Sequence, residues 1–377
     1  MRRALQLAAR GPATGPNPRV GCVLLAPDGR VLAEGHHRGA GTAHAEAAAL
    51  ADLAARGGTA AGCTAVVTLE PCTHTGRTGP CAQALLAAGV ARAVIADTDP
   101  NPAAAGGADL LRAAGVDVEV GLLAEQARTL NERWATAVAR HRPWVTWKFA
   151  ATLDGRSAAA DGTSRWITSA PARADVHRLR AAHDAVLVGT GTALADDPAL
   201  TVRAPDGTDA PGPQPLRVVA GLRELPAGAR LRDGRAQLLH LRTRDPHQVL
   251  AALAGREVRT VLLEGGPALA ASFARAGLVD EVVAYLAPAL LGAGVAAVAD
   301  LGVTGIAGAL RLDLAPGPDA VVRVGEDVRL TARPRARTQH DQPPHDQPPH
   351  DQPPHDQRQH TTSTPHVEEV ARVHRDR

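Results

Sequence analysis

Short apolar segments alternate with alanine-rich segments over the first part of the chain. Residues 20–25 and 30–34 have the composition of strands, and the Pro27-Asp28-Gly29 sequence between them is typical of a hairpin turn. Residues 44–56 are rich in alanine and end at two glycines, which predicts a helix. Strand-like and helix-like segments keep alternating to about residue 140. This order predicts an α/β sheet.

A second alternation of the same kind begins after Arg142-Pro143. Apolar segments at 144–151, 186–188 and 259–263 predict further strands, and the last two run into glycine-containing turns. After residue 332 the pattern stops, and the repeat His-Asp-Gln-Pro-Pro follows with almost no apolar residue. Such a segment cannot offset its ordering entropy. We therefore predict three regions: domains at 1–140 and 143–332, and a disordered low-complexity tail at 333–377.

Composition limits the kinds of partner that the chain has. The hydrophobic fraction of 45% is sufficient for real cores, and the formal net charge is only +2, with acidic and basic residues interspersed. We therefore expect no nucleic acid and no membrane as main partners. There is no apolar run of the roughly 18 residues that a membrane-spanning helix needs. Four cysteines in a chain of this length, two of them in a metal-type motif, favour a reducing cytoplasm.

Candidate metal ligands are concentrated in His44-Ala45-Glu46, Pro71-Cys72 and Cys81. His44, Cys72 and Cys81 would give zinc three protein ligands and leave a fourth position for water, as catalytic zinc sites do. Glu46 lies close enough in sequence to move protons between that water and a leaving amine. This is the signature of zinc deaminases that act on amino groups of heteroaromatic rings.

The alternative for the same residues is a closed structural zinc site. Cys22, Cys63 or His74 would then supply the fourth ligand. That arrangement leaves Glu46 without a purpose beside the metal. Cys22 and Cys63 also lie in apolar strand patterns, where a free cysteine behaves as a small buried hydrophobe.

Eight residues separate Cys72 from Cys81, whereas most zinc deaminases have two residues between these cysteines. The length of this loop therefore limits the families of zinc deaminase that the chain can resemble. This long loop and Asn17-Pro18-Arg19-Val20-Gly21 resemble the bifunctional deaminase/reductase family of bacterial riboflavin biosynthesis. The resemblance continues, in the family's order, at Leu153-Asp154-Gly155-Arg156, at 165–169, at 195–203 and at Glu264-Gly265-Gly266-Pro267. It implies a cytidine-deaminase-like three-layer domain followed by a dihydrofolate-reductase-like domain.

The resemblance also implies two consecutive reactions on a phosphoribosylaminopyrimidine. The first is zinc-dependent deamination of 2,5-diamino-6-(5-phosphoribosylamino)pyrimidin-4(3H)-one. The second is NADPH-dependent reduction of the ribosyl group, which gives 5-amino-6-(5-phosphoribitylamino)uracil. We expect one zinc per chain, NADPH in the second domain, and a cytoplasmic homo-oligomer.

Residue roles follow from the same resemblance. Glu46 would be the proton shuttle, and Asn17, His37 and Arg77 would contact the substrate of the first reaction. Contacts to NADPH would come from Ala150, Trp166, Thr192, Asp196, Gly266, Pro267, Ala268, Leu269, Ala270, Ala271 and Ser272. Contacts to the second substrate would come from Lys148, Ser164, Arg180, Leu200, Arg203 and Glu264.

Lys148 is the only lysine in a chain rich in arginine, which suggests that its place needs a compact ammonium rather than a planar guanidinium. The chain also departs from the family. It has Ala220-Gly221 where an Asp-Ser pair is common, and residues 205–258 are short and irregular beside the family pattern. Two rival hypotheses therefore remain: a live deaminase with an impaired reductase, and a zinc-stabilised binding module without catalysis.

Overall fold

The computed structural model describes residues 1–74 and 79–335. In its N-terminal part, the order of strands and helices is the alternating one that the sequence predicts. The elements are α1 (Arg2–Ala8), β1 (Gly21–Leu25), β2 (Val31–His36), α2 (Ala45–Ala55), β3 (Thr64–Val67), α3 (Cys81–Ala87), β4 (Arg92–Ile95), α4 (Gly107–Ala113), β5 (Asp117–Val120) and α5 (Ala124–Ala139).

Within the described residues, β1 to β5 form one sheet in the order β2-β1-β3-β4-β5. Helices α2, α3 and α4 pack on one face through small and branched residues, and α1 packs on the other face. This is the predicted three-layer arrangement. Gly35 on β2 lets α2 approach closely, since a Cβ there would lie 2.2 Å from the backbone oxygen of Ala45. The first turn of α2, with His44 and Glu46, is thereby fixed against the sheet.

The C-terminal part contains the second alternation of strands and helices. The elements are β6 (Trp144–Thr152), β7 (Arg156–Ala158), α6 (Ala170–Ala181), β8 (Ala185–Gly189), α7 (Thr190–Asp196), β9 (Leu216–Ala220), β10 (Leu238–Leu241), α8 (Pro246–Ala254), β11 (Thr260–Leu263), α9 (Pro267–Arg275), β12 (Glu281–Ala287), β13 (Val295–Ala296), β14 (Leu312–Leu314), β15 (Val321–Val324) and β16 (Asp327–Pro334).

Strand order in the second sheet is β10-β9-β8-β11-β6-β12-β16-β14, with β15 also paired to β16. The strands from β10 to β12 are parallel, so their carboxyl ends lie at one edge, whereas β16 is antiparallel to β12. In open α/β sheets ligands bind outside the carboxyl ends of the strands. Lys148 on β6 and Glu264, which directly follows β11, are both on this side of the sheet.

Helix α5 joins the two sheets, and ion pairs fix the junction. Arg142 donates to both carboxylate oxygens of Asp280 at 2.7 and 2.8 Å, and Arg140 donates to the same group at 2.5 Å. Arg133 on α5 donates to Glu281 at 2.8 Å. Both acidic side chains are buried. Breaking such a pair would leave a buried charge uncompensated, so the two domains are held together firmly.

The structure adds to or differs from the sequence-based expectations at four places. Thr190 begins α7 directly, where the sequence suggested only a glycine-containing turn. Residues 205–258, described as short and irregular beside the family pattern, contain the strand expected at residues 216–219 as β9, and also β10 and α8, which were not predicted. Gly221, one of the departures from the family pattern, has a φ of 136° and lies against Thr190, so a side chain there would clash. The last strand, β16, extends to Pro334 and so passes the predicted boundary at 332.

The predicted tail lies outside the described residues from 336 onward. No helix within residues 1–74 and 79–335 is long and apolar enough to cross a membrane.

Candidate active sites

The three predicted zinc ligands come together at two helix N-termini. His44 is the residue before α2, Cys81 is the first residue of α3, and Cys72 lies in the loop that follows β3. His44 Nδ1 is 3.6 Å from Cys72 Sγ and 3.3 Å from Cys81 Sγ, and the three ligand atoms all lie within 4.8 Å of one another. Tetrahedral zinc ligands at about 2.0–2.3 Å from the ion lie roughly 3.5–3.8 Å apart. The donor set and its spacing therefore fit zinc.

Charge at this cluster is distributed unequally between the two thiols. A hydrogen bond from Cys81, together with His44, lowers the pKa of Cys72 to about 4. The hydrogen bond to Cys72 and burial raise the pKa of Cys81. Two sulfur atoms this close hold a single negative charge easily and a second one only beside a cation. The cluster is therefore built to receive a positive ion.

Glu46 is buried in the first turn of α2, with 3% of its surface exposed. Burial raises the pKa of its carboxyl to about 7, and the nearby Cys72 adds to the shift while His44 opposes it. A carboxyl with a pKa in this range can both accept and donate a proton near neutral pH. Glu46 lines the same cavity as His44 and Cys72.

The candidates for a fourth protein ligand are not part of the cluster. Among the described residues, the group that could hold a metal consists of His44, Cys72 and Cys81. Cys22 lies in the core of the first sheet, and Cys63 Sγ is 3.7 Å from the carbonyl oxygen of Thr59. This arrangement favours an open coordination position rather than a closed structural site.

A cavity of about 250 Å³ lies over this cluster and contains the other predicted residues of the first site. Asn17 Nδ2 lies 2.9 Å from His37 Nε2, and His37 Nδ1 lies 3.1 Å from the carbonyl oxygen of Ala43. The rings of His37 and His44 meet edge to face with centroids 5.5 Å apart. Asn17 and His37 thus form one polar wall beside the metal ligands. Arg77 lies outside the described residues.

Several residues of this cavity were missed from the sequence. Asp99 and Asn101 come from the Asp- and Asn-rich loop after β4, and burial raises the pKa of Asp99 to about 6. Four further missed residues come from helix α5 and from the loop before β11: Trp134, Val138, Glu257 and Arg259. The polar loop was visible as a pattern, whereas contacts from a distant part of the chain had no local signal.

A larger cavity, of about 880 Å³, lies at the carboxyl ends of the parallel strands in the second domain. Arg180 on α6 donates to both oxygens of Glu264, at 2.7 and 2.9 Å. Burial opposes ionisation of Glu264, but Arg180 and then Lys148 outweigh it and lower its pKa to about 2. Burial lowers the pKa of Lys148, while Glu264 opposes that shift. The result is a fixed triad of charges in the cavity wall.

Seven residues predicted for the second site line this cavity. Arg173 stacks on the exposed Trp166, with the guanidinium carbon 4.4 Å from the ring centroid. The seven residues are Lys148, Ala150, Ser164, Trp166, Arg180, Arg203 and Glu264. His177 and Tyr285 also line it and were missed. Burial, with Arg180 and Arg203, lowers the pKa of His177 to about 4, and the Tyr285 hydroxyl donates to Asp175 at 2.7 Å.

The predicted cofactor segment 266–272 begins at the N-terminus of α9. Gly266 precedes the helix, no side chain caps its free N–H groups, and Pro267 occupies the first turn. The Gly266 backbone N–H donates to Thr192 Oγ1 at 3.0 Å, which joins two predicted cofactor residues. Uncapped N–H groups at a helix N-terminus bind phosphate groups. The segment therefore fits a dinucleotide phosphate.

Other predicted residues of the second site point elsewhere. Ala270 and Ala271 are buried in the core under α9, and Leu200 is packed among apolar residues of β8 and β9. Asp196 offers its backbone oxygen to Arg165 at 2.7 Å. Any contact of Leu200, Ala270 or Ala271 to a ligand would use the backbone or need local movement, whereas the Asp196 side chain is exposed. A resemblance transfers positions and does not distinguish side-chain from main-chain contacts.

Comparisons with known proteins agree with this division of the chain. Residues 1–97 match the family model of the cytidine and deoxycytidylate deaminase zinc-binding region, and residues 143–317 match the RibD C-terminal domain. A riboflavin biosynthesis protein RibD of Mycobacterium tuberculosis is 51% identical over 320 residues, covering 84% of this chain and 91% of the relative. The chain belongs to the RibD family. It is therefore a bifunctional deaminase and reductase of riboflavin biosynthesis.

Solved structures give the same result. A RibD structure from Acinetobacter baumannii is 37% identical with a TM-score of 0.78, covering 89% of this chain and 98% of its own. A structure from Thermotoga maritima, described as a diaminohydroxyphosphoribosylaminopyrimidine deaminase/5-amino-6-(5-phosphoribosylamino)uracil reductase, is 32% identical with a TM-score of 0.78, covering 89% and 97%. The predicted fold class and the two cofactors, zinc and NADPH, are confirmed. Neither rival hypothesis is favoured.

Proposed function

We propose that the chain deaminates 2,5-diamino-6-(5-phosphoribosylamino)pyrimidin-4(3H)-one and then reduces the product to 5-amino-6-(5-phosphoribitylamino)uracil. The observation that carries this proposal is the presence of two chemically different cavities in one chain. One holds a His/Cys/Cys cluster with a buried carboxyl, and the other holds the charge triad of Lys148, Arg180 and Glu264.

In the first reaction, His44, Cys72 and Cys81 would hold the metal. Zinc bound there supplies a Lewis acid that makes water a nucleophile near neutral pH. Glu46 takes the proton from the attacking water and delivers it to the amino group, which leaves as ammonia. Its burial keeps bulk water from competing for the proton, and burial raises its pKa, which opposes the lowering that a bound zinc ion would cause.

Asn17 and His37 position the pyrimidine ring in the first cavity. Their mutual contact of 2.9 Å presents an amide and an imidazole side by side, which can pair with the edge of a heteroaromatic ring. Arg77, in the loop between the two cysteines, is assigned to the substrate phosphate. A guanidinium is suited to this task because it makes bidentate, charge-assisted hydrogen bonds to phosphate oxygens.

In the second reaction, Lys148 donates to the ribosyl oxygen that gains a proton on reduction. Glu264 and Arg180 keep their charges fixed, so they orient Lys148 and the substrate rather than exchange protons. Ser164 and Arg203 line the open side of the same cavity, where Arg203 would meet the phosphate. Leu200 would act through its backbone, since its side chain is buried.

NADPH, the hydride source, would occupy the region between the cavity and the N-terminus of α9. Gly266 to Ser272 would hold a phosphate through backbone N–H groups, with Thr192 and Asp196 beside them. Trp166 and Ala150 would form the apolar contacts near the reacting end. NADPH held there would supply the hydride for the ribosyl carbon, and the chain's own residues would supply orientation and charge.

Domain boundaries, assembly and location belong to the same proposal. We assign the deaminase to residues 1–140, the reductase to 143–332 with its last strand reaching Pro334, and a low-complexity tail beyond. Homo-oligomer formation is supported by apolar side chains exposed on the reductase, among them Leu290 and Ile306 at 72% and 79%. A cytoplasmic location is supported by the free cysteines. We expect no nucleic-acid partner.

A coupled assay tests the proposal directly. The purified chain with zinc and the diaminopyrimidine substrate should release one ammonia per substrate without NADPH, and should oxidise NADPH only after deamination. Ammonia release without later NADPH oxidation would leave the deaminase assignment and overturn the reductase assignment. Release of no ammonia from zinc-loaded protein would overturn the deaminase assignment.

A further inference from the structure

The loop from Pro12 to Arg19 carries Asn17 into the deaminase cavity, and it is held by α5 and by the reductase domain rather than by the first sheet. Among the described residues, the backbone hydrogen bonds of this loop go to α5 and to the reductase domain. Arg19 exchanges two bonds of 2.9 Å with the Asn131 side chain on α5. The segment that carries a substrate contact is therefore held from outside its own sheet.

Asp184, at the start of β8, provides one of these anchors. Its Oδ1 accepts a hydrogen bond from the Gly15 backbone N–H at 2.5 Å. Its Oδ2 accepts from the backbone N–H groups of Arg259 and Thr260, at 2.9 and 2.8 Å. A single carboxylate thus connects the deaminase loop to the first residues of β11.

Pro16 provides the second anchor through its carbonyl oxygen. It accepts from Trp134 Nε1 at 2.9 Å and from Arg259 Nε at 3.4 Å. The Arg259 backbone is itself fixed, because its oxygen accepts from the Trp144 N–H at 2.8 Å and its N–H binds Asp184. The Arg259 side chain lines the deaminase cavity beside Pro16. It is therefore directed to the deaminase loop.

Arg259 also lines the deaminase cavity itself, together with Trp134. It lies in the reductase domain, far in sequence from the zinc motif, yet it closes the wall behind Asn17. Asn17 is the loop residue assigned to substrate binding. It directly follows Pro16, whose carbonyl oxygen accepts the hydrogen bond from Arg259.

We propose that Arg259 of the reductase domain is a positioning residue for the deaminase, so that the first active site is completed by the second domain. This rests on the proposed role of Asn17 and His37 in binding the pyrimidine. A loop held in its binding conformation does not have to be ordered by the substrate, and this improves binding. The deaminase domain of this chain therefore depends on the reductase domain even though the two cavities are separate.

The test compares two variants of the full-length, zinc-loaded chain. Arg259→Ala removes the side-chain anchor and leaves the backbone contacts to Asp184 and Trp144. It should lower kcat/KM for deamination roughly 2- to 10-fold, mainly through a higher KM, as expected for one lost long hydrogen bond while Trp134 still binds the same oxygen. Zinc content and reduction of the deaminated intermediate should not change. Arg256→Ala, an exposed arginine three residues earlier, is the control and should affect neither activity.

Two further measurements separate positioning from other roles. Amide hydrogen exchange in residues 12–19 should be faster in Arg259→Ala, and Arg259→Lys, which keeps a donor, should recover part of the deaminase activity. Unchanged deamination in Arg259→Ala would overturn the proposal. So would an equal loss of both activities, an equal loss in Arg256→Ala, or lower deamination with unchanged exchange. Full deamination by Asn17→Ala would instead remove the assigned substrate pocket.

Discussion

A buried glutamate from each cavity, Glu46 in the first and Glu264 in the second, shows opposite protonation behaviour. Glu46 is buried without a cationic side chain bonded to it, and its pKa rises to about 7. Glu264 is also buried, but two hydrogen bonds from Arg180 and the charge of Lys148 lower its pKa to about 2. Both carboxyl groups are shielded from solvent, so the difference between their pKa values comes from the neighbouring charges.

This difference corresponds to two uses of a carboxyl group. A proton shuttle needs a pKa near the working pH, and a bound zinc ion would bring that of Glu46 down from its present value. A structural anion must stay ionised, which Glu264 does through its bidentate pair with Arg180. The environment of Glu46 in the deaminase therefore suits proton transfer. The environment of Glu264 in the reductase keeps its negative charge fixed near the place where the hydride would be transferred.

The largest effect should come from the metal ligands. Cys72→Ser or Cys81→Ser removes a thiolate that zinc requires, so bound zinc should fall from about one per chain to near zero and deamination should be lost. Metal analysis and ammonia release measure both. Both variants should still reduce the deaminated intermediate. Deamination by a zinc-free variant would contradict the assignment of a zinc-dependent reaction to the first cavity.

Glu46→Gln should distinguish the contribution of the metal from that of the proton shuttle, because it leaves the zinc ligands unchanged. The amide has the same shape but cannot carry a proton, so ammonia release should fall on the order of 10²–10⁴-fold. Zinc content and melting temperature serve as controls and should stay near those of the unaltered chain. Deamination at a near-normal rate would remove Glu46 from the role assigned to it.

The zinc site was predictable from sequence because its chemistry is local. His44 and Glu46 are two residues apart, and both cysteines sit at predicted ends of elements, so one motif defines the cluster. The three-layer fold followed for the same reason, since each strand and helix carries its own pattern. Arg259 and Trp134 could not be predicted in the deaminase wall, because only the packing of the two domains brings them there.

The reductase cavity illustrates the opposite case. Its lining residues come mainly from β6, from α6, from the loops at 164–168 and 202–210, and from Glu264 after β11. No single one of these segments shows a motif as specific as the zinc motif. The resemblance supplied these positions. It could not reveal that the Leu200 and Ala270 side chains are buried, because burial is set by packing around them.

Arg203→Ala tests the phosphate contact of the reductase. Loss of one charge-assisted hydrogen bond costs about 1.5–3 kcal/mol, so binding of the intermediate should weaken roughly 10- to 150-fold. Michaelis constants for the intermediate measure the change, with ammonia release as the control. If this variant lost ammonia release and kept reduction, the assignment of cavities to reactions would be reversed.

Glu264→Gln should change how stability depends on pH. A carboxyl with a folded pKa of about 2 and an ordinary value of 4.5 stabilises the fold above pH 4.5 and loses that contribution as pH falls toward 2. The variant lacks the ionisable group, so it should be less stable than the unaltered chain at pH 7, and this difference should shrink between pH 4.5 and 2. Urea midpoints across this range test it, and a constant difference would contradict the assigned charge.

Deleting residues 336–377 should have the smallest effect. The repeat offers almost no apolar surface to bury, so both activities and the melting temperature should remain unchanged. The full-length and shortened chains, compared in the same assays, measure this. A large loss of either activity would show that the tail takes part in one of the sites.

The most direct measurement of the central claim compares two substitutions in both half-reactions. Glu46→Gln should lose ammonia release and still oxidise NADPH with the deaminated intermediate at the normal rate. Lys148→Arg should release ammonia normally and reduce the intermediate poorly, because the longer planar group does not fit a place built for an ammonium. This crossed result would establish two separate sites with different chemistry. Loss of both activities in either variant, or normal reduction by Lys148→Arg, would contradict the account.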